Sequence, residues 1–321
     1  MPSRDERRLL AEVARLFYVQ GVNKVDIGQQ LNLSRFKVAR MLEEARDAGI
    51  VSISIHGAAP IDLTLSRQLS EHWGIHAVVS NSLDGTPENV RRSVGQAAAE
   101  LFQDVVSEGE IVGLTWGRTL TAMTDYLTRM PKLSIVQLTG AVTSDINDSP
   151  VELVRRACLS TGGTAFPIFA PAIVDDAAAL AALKDHPDVK AAVDLFDHIT
   201  TAFLAVGSWD REGSQIFAIL PDEDSERLRQ MGVIAEVSGV FFDGDGRIVA
   251  HDLTGRYLSI SAQQIQRTPR VVAAVGGIGK MEATRSVIRS GLVTDLVTDN
   301  TLAEAAFEQP PIVPRADPDR S

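Results

Sequence analysis

The sequence predicts an α/β chain in two parts: a small all-α module over residues 1–55, then a larger domain whose parallel sheet is covered by helices on both faces. Three observations carry this. At 321 residues the chain has room for two domains with real cores. Its apolar positions recur at helical spacing up to about residue 48, and beyond that short apolar runs alternate with amphipathic ones. Charge is split the same way. Residues 1–55 hold nine Lys or Arg against seven Asp or Glu, whereas the other 266 hold 22 against 35, so the net charge of -11 belongs to the second part.

Leu9, Leu10, Val13, Leu16 and Phe17 fall at helical spacing and predict an amphipathic helix over residues 5–19, ended at Gly21. Val25, Ile27, Gln30 and Leu31 predict a second, shorter helix, broken at Asn32 and Leu33 where a tight turn would fall. Ser34 then offers an N-cap to a third helix over residues 35–48, stopped by Gly49. Val38, Met41, Leu42 and Ala45 form its apolar stripe, and Arg35, Lys37 and Arg40 project from its first turns. The alternating run Ile50–Ile55 reads as a wing strand, which completes a winged helix-turn-helix. In that motif the second helix of the pair enters the major groove N-terminus first. Arginine can pair bidentately with guanine and lysine can neutralise phosphate, so Ser34, Arg35, Lys37 and Arg40 are the candidate DNA-binding residues, with base and backbone roles unassigned among them. A basic reader on an acidic body keeps the body off nonspecific DNA.

Residues 56–62, with Gly57 and Pro60, are expected to be a linker. The segment 63–309 then reads as Rossmann-like, with helices at 88–107 and 118–129 and strands at 111–114, 133–138, 202–206, 271–275 and 295–297. The proline-rich tail 310–321 is expected to be disordered. In such sheets ligands gather at the carboxyl ends of strands. Two loops stand there. In one, Thr115, Trp116, Gly117, Arg118 and Thr119 join a strand to a helix, and backbone N–H groups, hydroxyls and a guanidinium suit a phosphate. In the other, Gly276, Gly277, Ile278, Gly279 and Lys280 follow an apolar strand and suit a phosphate or a carboxylate. The nucleotide motifs fail on identity. A P-loop needs glycine at Ala274 and Ser or Thr at Met281, and a dinucleotide fingerprint needs glycine at Glu282.

Tyr18–Gly21, Asp26–Leu33, the run Ser34–Leu42 and Ala45–Val51 resemble the DNA-binding end of SorC-type sugar-binding transcription regulators, with Gly28 standing where that family more often has alanine. The likeness continues through Trp116–Thr119, Ala170–Ala172, Val237–Gly246, Gly276–Lys280 and Thr294–Asn300. It implies an effector domain related to sugar-phosphate isomerases and deaminases, and a pocket for a sugar or sugar phosphate. By position, Thr115, Gly117, Arg118, Thr119 and Lys280 would hold the phosphate, Glu236 would face sugar hydroxyls, and Trp116 and Gly277 are further candidate effector-binding residues. Ala235-Glu236 replaces the Gly-Asp pair common in the family. The function so implied is DNA binding controlled by a carbohydrate effector. Paired half-sites require at least a dimer, and the resemblance suggests a tetramer.

The rival is a sugar-phosphate isomerase or deaminase with an accessory helical module, since a fold does not fix a function. Glu236, Asp243 and Asp245 could serve it as acids or bases, but Asp243 to Gly246 more simply make a hairpin turn. We therefore expect no enzyme, no cofactor and no metal. The six histidines, at 56, 72, 76, 186, 198 and 251, lack ligand spacing, and the single Cys158 reads as packing. With no apolar run long enough for a bilayer and a charged start in place of a signal sequence, the chain is expected in the cytoplasm.

Overall fold

A computed structural model describes residues 4–51, 59–82, 85–128, 130–141, 149–249 and 252–312. Two compact units divide the chain, Met1–Gly57 and Ala58–Ser321.

The first unit holds α1 (Arg4–Ala14), α2 (Lys24–Leu31) and α3 (Arg35–Asp47). The helix expected to run to residue 19 changes pitch at Arg15. There the backbone bonds step wider, Gln20 N–H reaching Arg15 O at 3.1 Å, and Leu9 is left partly exposed instead of joining the core. Asn23 starts α2, its side-chain oxygen accepting from the N–H groups of Val25 and Asp26, both at 3.0 Å. Asn32 closes that helix in the left-handed conformation at φ 54°. Leu33 N–H then bonds back to Gly28 O at 2.8 Å, and a Cβ on Gly28 would lie 2.6 Å from Leu33 O. The glycine thus permits a turn too close for alanine without a shift of backbone, which offsets its helix-propensity cost of about 1 kcal/mol. Ser34 Oγ accepts from Lys37 N–H at 3.1 Å and caps α3 as expected. Leu10, Val13, Leu16, Ile27, Val38, Met41, Leu42 and Ala45 close the core between the three helices. Of the expected wing, Ile50 and Val51 pack half-buried against this core, and residues 52–55 lie outside the described residues.

The second unit carries β1 (His76–Ser80), β2 (Ile111–Leu114), β3 (Ser134–Gln137), β4 (Thr164–Phe166), β5 (Thr201–Ala205), β6 (Gly207–Ser208), β7 (Val233–Val237), β8 (Val240–Asp243), β9 (Arg270–Ala274) and β10 (Asp295–Asp299). Seven form one sheet in the order β1-β10-β9-β5-β2-β3-β4, every neighbouring pair parallel. Antiparallel β6-β7-β8 form a second, smaller sheet. Side chains alternate across the main sheet with the period of two that strands impose. Ala202, Leu204, Val271 and Ala273 join one buried cluster, whereas Phe203, Val272 and Ala274 join another. Both faces are therefore covered, and the expected α/β architecture with a helical N-terminal region is what the chain adopts.

Departures are local. The helix expected over 118–129 spans only Arg118–Thr124, because its last bonds tighten to Asp125 N–H on Ala122 O and Tyr126 N–H on Met123 O. Of the segment expected to be a linker, residues 56–58 lie outside the described residues. The rest is tied to β1: Asn81 N–H donates to Pro60 O, Asp62 N–H donates to Val79 O, and Asp62 caps the helix Leu63–Trp73. Pro310 and Ile312 are likewise held, by Arg285 and by the backbone of His72, while residues 313–321 of the expected tail lie outside the described residues. Cys158 is half-buried against the apolar cluster of Leu153 and Val154.

Candidate functional site

From β2 the chain proceeds to β3 on one side, while β5 and β9 lie on the other. Such a reversal leaves a crevice at the carboxyl ends of the strands. A cavity of about 540 Å³ opens there, a size suited to a small molecule. Its walls come from the loops after β2, β5 and β9, from β7, and from the start of the helix Pro87–Val105.

The loop after β2 is shaped by Gly117. Its φ of +145° is one that side-chain-bearing residues rarely adopt, and a Cβ there would sit 2.5 Å from Ala205 Cβ. Trp116 before it is buried with Trp209 and Tyr257, and also lines the cavity. Arg118 and Thr119 line it too, the Arg118 guanidinium donating to Glu212 O at 2.9 Å. Thr115 does not join them. Its hydroxyl accepts from Ala205 N–H at 3.0 Å and donates to Trp116 O at 3.2 Å, so it stitches β2 to β5 inside the sheet instead of facing a ligand.

Across the cavity, Gly277 N–H donates to Asp299 Oδ2 at 2.6 Å, and Asp299 also caps the helix Asn300–Phe307. The loop is therefore anchored from β10 while its next residues, Ile278 and Gly279, stay exposed. Lys280 turns inward and donates to Val206 O at 2.7 Å. Burial lowers its ammonium to a pKa of about 8, against the pull of Glu236; Arg118 and Arg91 lower it further, and Asp210 opposes them.

Glu236 on β7 is the buried carboxylate opposite. Its Oε1 accepts from Ser214 Oγ at 3.1 Å, and Oε2 faces Gly239 N–H at 3.5 Å. Burial pushes its pKa up, while the Ser214 hydroxyl, Gly239 N–H and Lys280 pull the other way. Gly207 pairs with Glu236 across β6 and β7, and a Cβ on Gly207 would meet Glu236 Oε1. Of the other acids considered from sequence, Asp243 ends β8 and Asp245 lies in the turn after it. Asp243 Oδ1 accepts from the N–H groups of Asp245 and Arg247 there, which makes the acids part of a hairpin.

The structure thus brings Trp116, Gly117, Arg118, Thr119, Glu236, Gly277 and Lys280 around one cavity and leaves Thr115 behind its wall. Sequence reasoning missed Arg91 and Gln215. Arg91 reaches the site from the helix that precedes β2. Gln215 follows the capping Ser214, and its Oε1 is buried without a hydrogen-bond partner among the described residues. An unsatisfied buried acceptor in a cavity wall is a place for a donor from a ligand or water. Among the described residues no cluster of three or more His, Cys, Asp or Glu could hold a metal ion, and no helix is long and apolar enough to cross a membrane.

In the first unit Ser34, Arg35, Lys37 and Arg40 are all exposed, on one end of α3. Phe36 between them is 86% exposed.

A family model described as "Putative sugar-binding domain" matches residues 61–307. The chain is 26% identical over 310 residues to the erythritol catabolism regulatory protein EryD of Brucella abortus, covering 94% of this chain and 97% of that protein. It is 25% identical to an uncharacterized transcriptional regulator of Escherichia coli, YjhU, over 90% of this chain and 91% of that one. In fold it matches the full-length sorbitol operon regulator SorC of Klebsiella pneumoniae, with a TM-score of 0.71 at 23% identity, over 94% of this chain and 99% of that one.

Proposed function

The chain belongs to the sugar-binding domain family over residues 61–307, and on that premise we propose that it is a DNA-binding transcription regulator whose operator affinity is set by a small carbohydrate effector carrying a phosphate. The observation that carries the effector half is the pairing, in one cavity, of Arg118 and Lys280 with the buried carboxylate of Glu236. Cations in an otherwise low-dielectric wall favour a phosphate. Glu236 and the unpartnered Gln215 Oε1 favour hydroxyl donors, so the two halves of a sugar phosphate find opposite partners. The regulators of erythritol catabolism and of the sorbitol operon, similar along nearly their whole length, support polyol or sugar chemistry for the ligand.

The DNA half rests on α3, capped by Ser34, with Arg35, Lys37 and Arg40 exposed at the end that a helix-turn-helix places in the major groove. Two half-sites need at least two copies of the chain, so the working form is a homodimer or larger, acting on chromosomal DNA in the cytoplasm. Ligand binding controls operator affinity only if the effector binds one of two states of this assembly more tightly. The reading includes no turnover. Both oxygens of Glu236 face donors within the protein, so its carboxylate is held as a recognition group.

Thermal-shift measurements with a panel of pentose, hexose and polyol phosphates and their free forms test the effector. A phosphorylated member should stabilise the wild type in a concentration-dependent way and leave Lys280→Ala unmoved. Stabilisation by free sugars alone would refute the phosphate, and steady conversion of a panel member that Glu236→Ala abolishes would refute the absence of turnover. For DNA, affinity should fall with salt, and Arg35→Ala or Arg40→Ala should flatten that slope.

A further inference from the structure

Within the DNA-reading proposal, one residue of α3 stands out. Its buried stripe is Val38, Met41, Leu42 and Ala45. At 3.6 residues per turn, Phe36 projects about 170° from the centre of that stripe, so it points straight away from the core. The structure agrees, leaving Phe36 86% exposed. Arg40, one turn on, shares this outward face, and Arg35 and Lys37 flank it. The face is polarised along the helix: these three bases occupy its first turns, whereas Glu43, Glu44 and Asp47, with Arg46 as one base among them, lie towards its other end. Charge therefore directs the Phe36 end, and not the other, towards phosphate.

An aromatic ring held in water on a helix gains little for stability, because it neither packs nor raises helix propensity. Ringed by cations, it does fit one surface. The major groove presents a single apolar group among its base edges, the C5-methyl of thymine. We propose that Phe36 is a specificity residue that packs on a thymine methyl in each operator half-site, while Arg35, Lys37 and Arg40 supply the polar contacts around it.

The test uses the full-length chain. It first enriches a site from a library of random-sequence duplexes. Each thymine of the enriched duplex is then replaced in turn by deoxyuridine, which lacks only the methyl group, and binding is measured for wild type, Phe36→Ala and Phe36→Leu. One thymine per half-site is expected at which the replacement weakens wild type about three- to fourfold, the effect of losing one buried methyl(ene) contact. Phe36→Ala should bind the thymine duplex more weakly and be indifferent to the replacement, and Phe36→Leu should fall between. A wild type indifferent to uridine everywhere, or a methyl effect that persists in Phe36→Ala, would overturn the proposal while leaving DNA binding intact. A change of oligomeric state in Phe36→Ala without a methyl effect would overturn it in favour of a contact between copies. Failure to enrich any duplex would overturn the DNA-reading function itself, and this inference with it.

Discussion

Raising pH should weaken the binding of a phosphorylated effector, because Lys280 starts to lose its proton within reach of physiological pH. Its pKa is about 8. A sugar phosphate is already close to a dianion at pH 7, with a second pKa of about 6, so the ligand's own charge changes little above that. Its negative charge beside the ammonium raises the Lys280 pKa in the complex, and binding must therefore restore any proton already lost. About 90% of Lys280 is charged at pH 7 and about 10% at pH 9, so affinity should drop roughly tenfold across that interval if only the ammonium binds. Titration calorimetry in two buffers of different ionisation enthalpy measures the same event directly, with proton uptake rising from about 0.1 to about 0.9 per site. The sign also extends to folding. A lysine whose folded pKa is lowered penalises the folded state below that pKa, and the penalty is relieved as pH rises from about 8 towards the unfolded value of 10.5. The ligand-free protein should therefore gain stability over the interval in which ligand binding weakens. A flat affinity from pH 7 to 9 with no proton uptake would refute the coupling of Lys280 to the phosphate.

Three further outcomes follow from the same geometry. Glu236→Gln removes the attraction that raises the Lys280 pKa, so the midpoint of the fall in effector affinity should move below 8, to a lower pH than in wild type; an unmoved midpoint in the calorimetric profile would mean the two groups do not interact. Gly117→Ala forces a side chain into a φ of +145° and against Ala205, and should cost about 1–3 kcal/mol, read as a lower unfolding midpoint in urea together with lost effector binding. Ser34→Ala deletes the cap on α3 and should cost the first unit about 1 kcal/mol. Because Lys37 N–H is then unpaired at the DNA-reading end, operator affinity should fall as well, whereas effector affinity, measured by calorimetry, should not.

How legible each part was in the sequence depended on whether its determinants were local. Ser34 was readable because capping is decided within three residues, and Gly117 because a glycine between a buried strand and a helix has few other uses. The strands β2, β5 and β9 are apolar runs buried on both faces and declare themselves by composition. The strands β1, β4, β6, β7 and β8 were not anticipated: β4 and β6 have only three and two residues, and pairing partners from elsewhere in the chain define them. The site divides on the same line. The two glycine loops place Arg118 and Lys280 by their own backbone, so spacing alone pointed to both. Thr115 shares the first loop, yet its hydroxyl was drawn into a bond from Ala205, 90 residues away, and no local pattern could reveal that. Arg91 reaches the cavity from a helix packed on β1, β9 and β10, and Gln215 through its neighbour Ser214, which bonds Glu236 on β7; both placements depend on tertiary pairing. Phe36 stands outside the stripe Val38, Met41, Leu42 and Ala45 that the spacing gives to the core of the third helix, and the angle around the helix sets it apart. That angle is about half a circle from the stripe, which takes the ring out of the core and leaves it exposed.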